Sequence, residues 1–429
     1  MTESLNRRGF LERTAATAGV VATAAVSARA QEAASNKIVL GVMGLSRGRS
    51  LAGSFAKLPG VEVKYCCDVD TKRAGSAAES MEKAGHKKPQ AIADYRRILD
   101  DKDIDALVCA TPNHWHAPAS IMACTAGKNA YVEKPCCHNP YEGELLIKAA
   151  RRHNRCVQMG NQRRSAKRII EGIKLVHEGA IGRPYYSRSW YADSRGPIGK
   201  GVPTKVPPHI DYELWQGPAP RQPYVSNRLH YTWHWVWHYG NGELGNNGIH
   251  SLDICRWALQ VDYPVRVTSS GGRYRFDDDQ ETADTHVVNF EFEGKKQIMW
   301  EGMSCNPHGI ERSGYGATVH AEDGTMYFGP GGFVQYDNRD KVVREASADD
   351  GQDDHIANFV AAVREGNPML LNSEIEEGHK STLLCHLGNI SHRTGRALHC
   401  DSSDGHINDD KEAMSYWKRD YEPGWEPKV

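Results

Sequence analysis

Lys37-Ile38-Val39-Leu40-Gly41-Val42-Met43-Gly44-Leu45-Ser46-Arg47-Gly48, followed by Val61-Glu62-Val63-Lys64-Tyr65-Cys66-Cys67-Asp68, is the stretch on which the fold turns. Residues 37–42 are a short apolar, β-branched run that predicts a buried strand. Residues 44–48 predict a tight glycine-containing turn and 49–58 the helix that follows; 61–68 predict a second strand ending in an acid. Strand, glycine turn, helix and acid-terminated strand together make the opening unit of a dinucleotide-binding βαβ fold. Glycines let the backbone approach a pyrophosphate, the helix start offers unpaired N–H groups and a positive dipole, and the acid accepts hydrogen bonds from the adenosine ribose. Asp68 lies 24 residues after Gly44, close to the ~20 that this geometry requires. The glycines do not spell G-x-G-x-x-G, because Ser46 holds the middle position, so the surrounding elements carry the argument. The cofactor-binding candidates in this unit are Gly41, Gly44, Leu45, Ser46, Arg47, Gly48 and Asp68. An acid at 68 repels a 2′-phosphate and favours NAD over NADP, although Arg73 is close in sequence.

The alternation of strand and helix continues. Residues 104–110 predict a strand running into Thr111-Pro112-Asn113-His114-Trp115-His116 and an alanine-rich helix to 126. Residues 129–135 predict another, ending in Glu133-Lys134-Pro135. In an open parallel sheet, ligands bind beyond the carboxyl ends of the strands, so Asn113, His116, Glu133 and Lys134 are expected to converge on one ligand.

The second half has a different pattern. Residues 183–192, 265–274, 285–292, 297–303 and 318–328 predict strands separated by turn residues, the profile of an antiparallel sheet. Between the first and the rest lies a long insertion, 193–242, rich in Pro and Trp. His230, His234 and His238 fall at i, i+4, i+8, which on a helix would suggest zinc. Trp233, Trp235 and Trp237 recur with period two, an extended spacing that would hold the histidines too far apart for one ion, so no metal is expected. Aromatic faces at Trp233 and Trp235 suit stacking on a sugar ring, or core packing. Residues 240–257 predict a partly buried helix on which 246, 250 and 253 share a face.

Thr111-Pro112-Asn113-His114-Trp115-His116, Gly127-Lys128, Glu133-Lys134-Pro135 and Gln158-Met159-Gly160-Asn161-Gln162-Arg163, in that order, resemble the glucose-fructose oxidoreductase / inositol dehydrogenase / rhizopine-catabolism family, Gfo/Idh/MocA. The resemblance spans roughly residues 37–393. It implies an α/β fold: an N-terminal doubly wound Rossmann domain (36–160), then an α/β domain with a large, mostly antiparallel sheet that covers the nicotinamide and often mediates oligomerisation (161–395). Residues 396–429 are left as a polar tail in which Trp417 and Trp425 could anchor. The resemblance extends the cofactor-binding set to Thr111, Pro112, Asn113, His116, Glu133, Lys134 and Asn161. The substrate-binding candidates are Arg163, Trp233, Trp235, Asn247 and His250. The helix at 246–250 resembles the family's D-x-x-x-H, whose His and Asp work with the lysine of E-K-P. Lys134 and His250 match, whereas Asn246 stands at the acid position. An amide cannot take up a proton, so Asn246 orients substrate, and proton transfer falls to His250 or Lys134.

Composition bounds the rest. A chain of 429 residues with a formal net charge of -1 has no long-range electrostatic reason to bind nucleic acid or an anionic membrane, and small-molecule chemistry is the default. Eleven Cys without C-x-x-C signal neither a complete disulfide framework nor structural zinc. Asn6-Arg7-Arg8-Gly9-Phe10-Leu11, the mildly apolar stretch 14–26 and Ala28-Arg29-Ala30 read as a twin-arginine export signal over 1–30. No stretch is apolar enough to span a bilayer. The expectation is an exported, periplasmic NAD(P)-dependent oxidoreductase acting on a carbohydrate, a homo-oligomer (dimer or tetramer). Because free NAD is scarce outside the cytoplasm, its cofactor should be tightly bound and regenerated in place. The same constraint admits a redox-neutral NAD-dependent glycosidase, which oxidises at C3, eliminates, hydrates and re-reduces. A non-catalytic carbohydrate-binding relic is the third reading.

Overall fold

The computed structural model describes residues 37–429, so the export signal read at 1–30 lies outside the described residues. Six parallel strands, β1 (Ile38–Met43), β2 (Val61–Cys67), β3 (Gln90–Ile92), β4 (Ala106–Cys109), β5 (Asn129–Val132) and β6 (Val157–Met159), form one sheet in the order β3-β2-β1-β4-β5-β6. The order reverses between β1 and β4, which opens a crevice at the carboxyl ends of those strands. Every residue of β1 and β4 is buried, as a parallel strand covered on both faces must be. Asp70 caps the helix Thr71–Lys83 by accepting from the N–H groups of Lys72 and Arg73. Phe55, Tyr131 and Phe359 meet edge-to-face, with ring centroids 5.6, 5.8 and 6.0 Å apart. They tie the helix Arg47–Ala56 and β5 to the helix Gln352–Glu365, which returns from the far end of the chain.

The second sheet has nine strands: β7 (Pro184–Ala192), β8 (Arg266–Gly272), β9 (Thr285–Phe292), β10 (Lys296–Met303), β11 (Tyr315–Ala321), β12 (Gly324–Phe328), β13 (Gly332–Asp337), β14 (Val342–Ser347) and β15 (Leu398–His399). All its neighbours run antiparallel except β7 and β10. Along β9 burial alternates residue by residue, so one face packs on the core, against the helices Ile249–Leu259 and Ile375–Thr394.

Three expectations need correction, and β13 and β14 lie outside the expected strands. Residues 318–328 are not one strand: Glu322 and Asp323 turn the chain between β11 and β12, with the Asp323 N–H donating to the Ile181 carbonyl. β14, at the sheet's edge, was not foreseen because Val342–Glu345 are all exposed and lack a one-face pattern. The period-two tryptophans do not mark a strand: Thr232–Trp235 is a 3₁₀ turn, closed by Trp233 Nε1 donating to the His230 carbonyl and by the His234 ring against the Tyr231 carbonyl. The helix at 240–257 begins as a π turn, Leu244–Gly248, before Ile249–Leu259. That wider turn keeps Asn246 and His250 on the crevice, while Asp253 points away into a buried, bidentate pair with Arg164.

All eleven cysteines are free thiols, buried except for the half-buried Cys305. The terminal segment is packed rather than solvated. Arg419 and Tyr421 satisfy the fully buried Glu142 carboxylate at 2.7 and 3.1 Å, and Trp425 stands edge-on to Trp115 at 5.3 Å. Arg419 also donates to the His114 carbonyl, bracing the helix Asn113–Thr125 beneath the crevice. Among the described residues no helix is long and apolar enough to cross a membrane.

Candidate active site

The crevice opens between the two sheets as a cavity of about 440 Å³. That lies within the ~300–1,000 Å³ of a small-ligand pocket. Gly44, Leu45, Ser46, Arg47, Asp68, Thr111, Pro112, Asn113, His116, Glu133, Lys134, Trp233, Asn246, Asn247 and His250 all line it. Gly41, Gly48, Asn161, Arg163 and Trp235 do not.

The first wall is built from backbone. Gly44 has φ +84°, and a Cβ there would lie 2.5 Å from the Ala110 carbonyl oxygen. Only glycine fits that turn. The helix that follows starts at Arg47 with no side-chain cap, so its first N–H groups remain for an anion. Asp68 accepts from the N–H of Leu45 at 2.7 Å and of Asp70 at 2.9 Å, bracing the turn from the end of β2, and its burial raises its pKa. Its oxygens retain capacity for a hydroxyl. A tight turn, an uncapped helix and an acid at these places fit a dinucleotide. Gly41 and Gly48 serve packing: a Cβ would strike Ile98 at position 41, and at 48 would press on Val42.

On the floor, Asn113 Nδ2 donates to Asn241 Oδ1 at 3.0 Å and links the two walls. The His116 ring is wedged between the Thr111 and Pro135 carbonyls at 2.7 and 2.6 Å, so it braces the floor more than it meets ligand. Glu133 accepts from Arg47 Nε at 3.0 Å.

The second wall is built from side chains. Lys134 Nζ donates to the main-chain oxygen of Asn246 and, at 3.2 Å, to Asn246 Oδ1. Its depth in the crevice lowers its pKa, against the opposing pull of Glu133 and Glu243. His250 Nδ1 is 3.0 Å from Asn161 Oδ1. An amide oxygen only accepts, which assigns the proton to Nδ1 and leaves Nε2 a free lone pair. Burial and then the Lys134 charge hold His250 well below the usual imidazole pKa, so it is neutral.

Asn161 therefore orients His250 from behind and does not line the cofactor site. Arg163 donates to the Gly329 carbonyl at 2.9 Å and lies 4.0 Å over the Tyr315 ring, outside the crevice. Trp233 stacks on His234 with centroids 3.5 Å apart, and both line the crevice. Trp235 lies behind them, covered by Arg195 at 5.0 Å. The three histidines of the insertion part company: His230 faces Asp70 at 3.3 Å, His234 stacks on Trp233, and His238 meets the Pro220 carbonyl. Among the described residues no three His, Cys, Asp or Glu are grouped to hold a metal.

Sequence reasoning missed the roof. The insertion docks on the first domain where the Thr71 N–H donates to the His209 carbonyl and the Asp211 N–H to the Val69 carbonyl, both at 3.0 Å. The neighbouring residues His230 and Tyr231 then join opposite walls, His230 to Asp70 and the Tyr231 hydroxyl to Asn246 Nδ2 at 3.4 Å. Glu243, Arg195, Asp350 and Gln352 were missed too. Glu243 alone had a signal, since it stands three residues before Asn246.

Two family models match the chain. One, described as an oxidoreductase family with an NAD-binding Rossmann fold, covers residues 36–161; the other, an oxidoreductase family C-terminal alpha/beta domain, covers 189–426. The chain is 30% identical over 212 residues to an alpha-N-acetylgalactosaminidase of Shewanella oneidensis, covering 44% of this chain and 46% of that protein. It thus spans less than half the length of that relative. Among solved structures, an aldose-aldose oxidoreductase from Caulobacter crescentus complexed with glycerol superposes with a TM-score of 0.64 at 20% identity, over 85% of this chain and 99% of that one. A levoglucosan dehydrogenase in complex with NADH and levoglucosan gives 0.65 at 18% identity, with the same coverage. These two likenesses are of fold. With both sheets, the crevice between them and both family models in agreement along the chain, the protein belongs to the Gfo/Idh/MocA oxidoreductase family.

Proposed function

We infer that the protein oxidises a sugar or polyol hydroxyl, or reduces the corresponding ketone, with a nicotinamide dinucleotide held along Gly44, Ser46, Arg47 and Asp68. The observation that carries this reading is a pair lining one crevice and close enough for the Lys134 charge to act on His250: Lys134 fixed by Asn246 as a donor, and His250 fixed by Asn161 as an acceptor. A hydroxyl between them gives its proton to His250 Nε2, and Lys134 donates to the oxygen as charge builds on it. His250 is a weak base, but a hydroxyl becomes a strong acid as its carbon is oxidised, so the transfer is downhill when it is needed. When bound, the nicotinamide supplies the reversible two-electron acceptor. Asn246 cannot share the proton and serves to hold Lys134.

The acid at position 68 supports NAD over NADP, and the roof across the crevice supports a cofactor that stays bound between turnovers. The arginine pair at residues 7 and 8 supports export, for which retained cofactor is the requirement, and the broad second sheet supports a homo-oligomer. A second reading, redox-neutral glycoside cleavage, is favoured by the relative named alpha-N-acetylgalactosaminidase. One experiment separates the two. The purified protein, without added nucleotide, is mixed with a panel of aldoses and ketoses and with chromogenic N-acetylgalactosaminides. Appearance of reduced-nicotinamide absorbance with a sugar supports the oxidoreductase; aglycone release with no net reduction supports the glycosidase; neither, with nucleotide present by mass spectrometry, refutes both.

A further inference from the structure

Position 246 lacks an acid, yet a buried carboxylate stands one turn earlier. Glu243 is 4% exposed, and its Oε2 accepts from Arg195 Nε at 2.6 Å. Its Oε1 accepts from Asn247 Nδ2 at 2.5 Å and lies 3.4 Å from Asn246 Nδ2. A carboxylate can only accept, so both amide nitrogens turn towards it and both amide oxygens turn away. For Asn246 that direction leads to Lys134, 3.2 Å from Oδ1; for Asn247 it leaves an acceptor on a residue of the crevice wall. Arg195 supplies the countercharge without which a carboxylate at this depth would be costly, and is itself walled by Tyr231 and Trp235 at 5.6 and 5.0 Å.

We propose that Glu243 is the positioning residue that stands in for the absent acid: through the Asn246 amide it holds Lys134 in place as an ammonium ion, and through Asn247 it turns an acceptor towards a substrate hydroxyl or amide N–H. The chain carboxylate–amide–ammonium does at one remove what a carboxylate at 246 would do directly. The other charged or titratable groups near Lys134 are Glu133, Arg47 and His116 from the first wall and floor, Arg195, His234 and His250 from the second wall, and Cys385 from the helix Ile375–Thr394. Of the second-wall groups, Glu243 alone favours the charged lysine. The proposal rests on the reading of Lys134 as a donor, and its test does not depend on sugar turnover.

Competitive labelling with acetic anhydride across a pH series, with the Lys134 peptide quantified by mass spectrometry, reports the protonation midpoint of that lysine in the purified protein. Glu243→Gln should move the midpoint down by about 1 pH unit, and adding Asn246→Asp in the same chain should move it back. A purely structural Glu243 would give no such rescue. Should Glu243→Gln fail to fold, because Arg195 loses its partner at 2.6 Å and is left with Asp193 at 3.8 Å as countercharge, Asn246→Leu cuts the amide link with the ion pair intact and should lower the midpoint likewise. An unchanged midpoint in whichever of these variants folds, or a double variant that does not recover, overturns the proposal. A protein that labels as expected but oxidises no sugar upholds the proposal and overturns the functional reading instead.

Discussion

Gly44, Ser46 and the start of the helix Arg47–Ala56 offer a ligand main-chain atoms, whereas across the crevice Asn246, His250 and Tyr231 offer side chains. The first wall needs little support beyond its own sequence: Asp68 reaches back across one βαβ unit to the N–H of Leu45. The second needs support from everywhere. His250 depends on Asn161, 89 residues away, and Asn246 on Lys134, 112 residues away. A main-chain site is therefore specified where it is written, while a side-chain site is specified by whatever packs behind it. The two walls should accordingly fail in different ways.

The largest effect is expected on the second wall. Lys134→Ala or His250→Ala should cut sugar-dependent reduction about 10²–10⁴-fold, with the nucleotide content of the purified protein unchanged; full turnover in both would break the assignment. On the first wall Gly44→Ala should do the opposite, losing nucleotide because the φ of +84° and the Ala110 carbonyl exclude a Cβ. The cost to stability should be about 1–3 kcal/mol, read by urea titration.

Acid should loosen elements of both domains, since burial also holds His114 and His138 of the first domain well below the usual imidazole pKa. Burial holds His286 at a pKa of about 3, His386 at about 3, and His355 and His379 at about 4. Because these values lie below the unfolded one, the unfolded chain binds more protons beneath about pH 6.5, and stability falls as pH drops from there towards 4. Each such histidine contributes a slope of up to about 1.4 kcal/mol per pH unit. His379 and His386 share the helix Ile375–Thr394, so amide exchange there should speed up at pH 5 relative to pH 7. Protection unchanged in that helix would contradict the account. The smallest effect belongs to the roof. His230→Ala removes the 3.3 Å contact with Asp70, made by an imidazole that burial holds below its usual pKa, and should speed nucleotide release by a factor corresponding to about 0.5–1 kcal/mol, measured as loss on repeated gel filtration, with the chemical step untouched.

The sequence carried the first wall to within a residue or two. The strand at 37–42, the glycine turn and the acid at 68 appear where the pattern placed them, because each follows from local periodicity and from the backbone demands of one turn. The resemblance to E-K-P and, with Asn246 at the acid position, to D-x-x-x-H brought Lys134 and His250 to the same crevice. Local spacing misled where the insertion folds irregularly. Trp233 and Trp235 looked like an alternating strand, but side-chain bonds to nearby carbonyls close a 3₁₀ turn that sends one ring into the crevice and the other behind it.

Composition, periodicity and a handful of ordered motifs determined that this chain folds as a dinucleotide domain joined to a broad, mostly antiparallel sheet, and which lysine and histidine line one crevice. Only the tertiary structure decided which is donor and which acceptor, because that depends on Asn161 and Asn246 approaching from other elements. It also decided that His230 and Tyr231 bridge the two walls and that Glu243 backs both asparagines. Hydrogen-bond direction and burial are properties of three-dimensional neighbours, and spacing along one chain does not encode them.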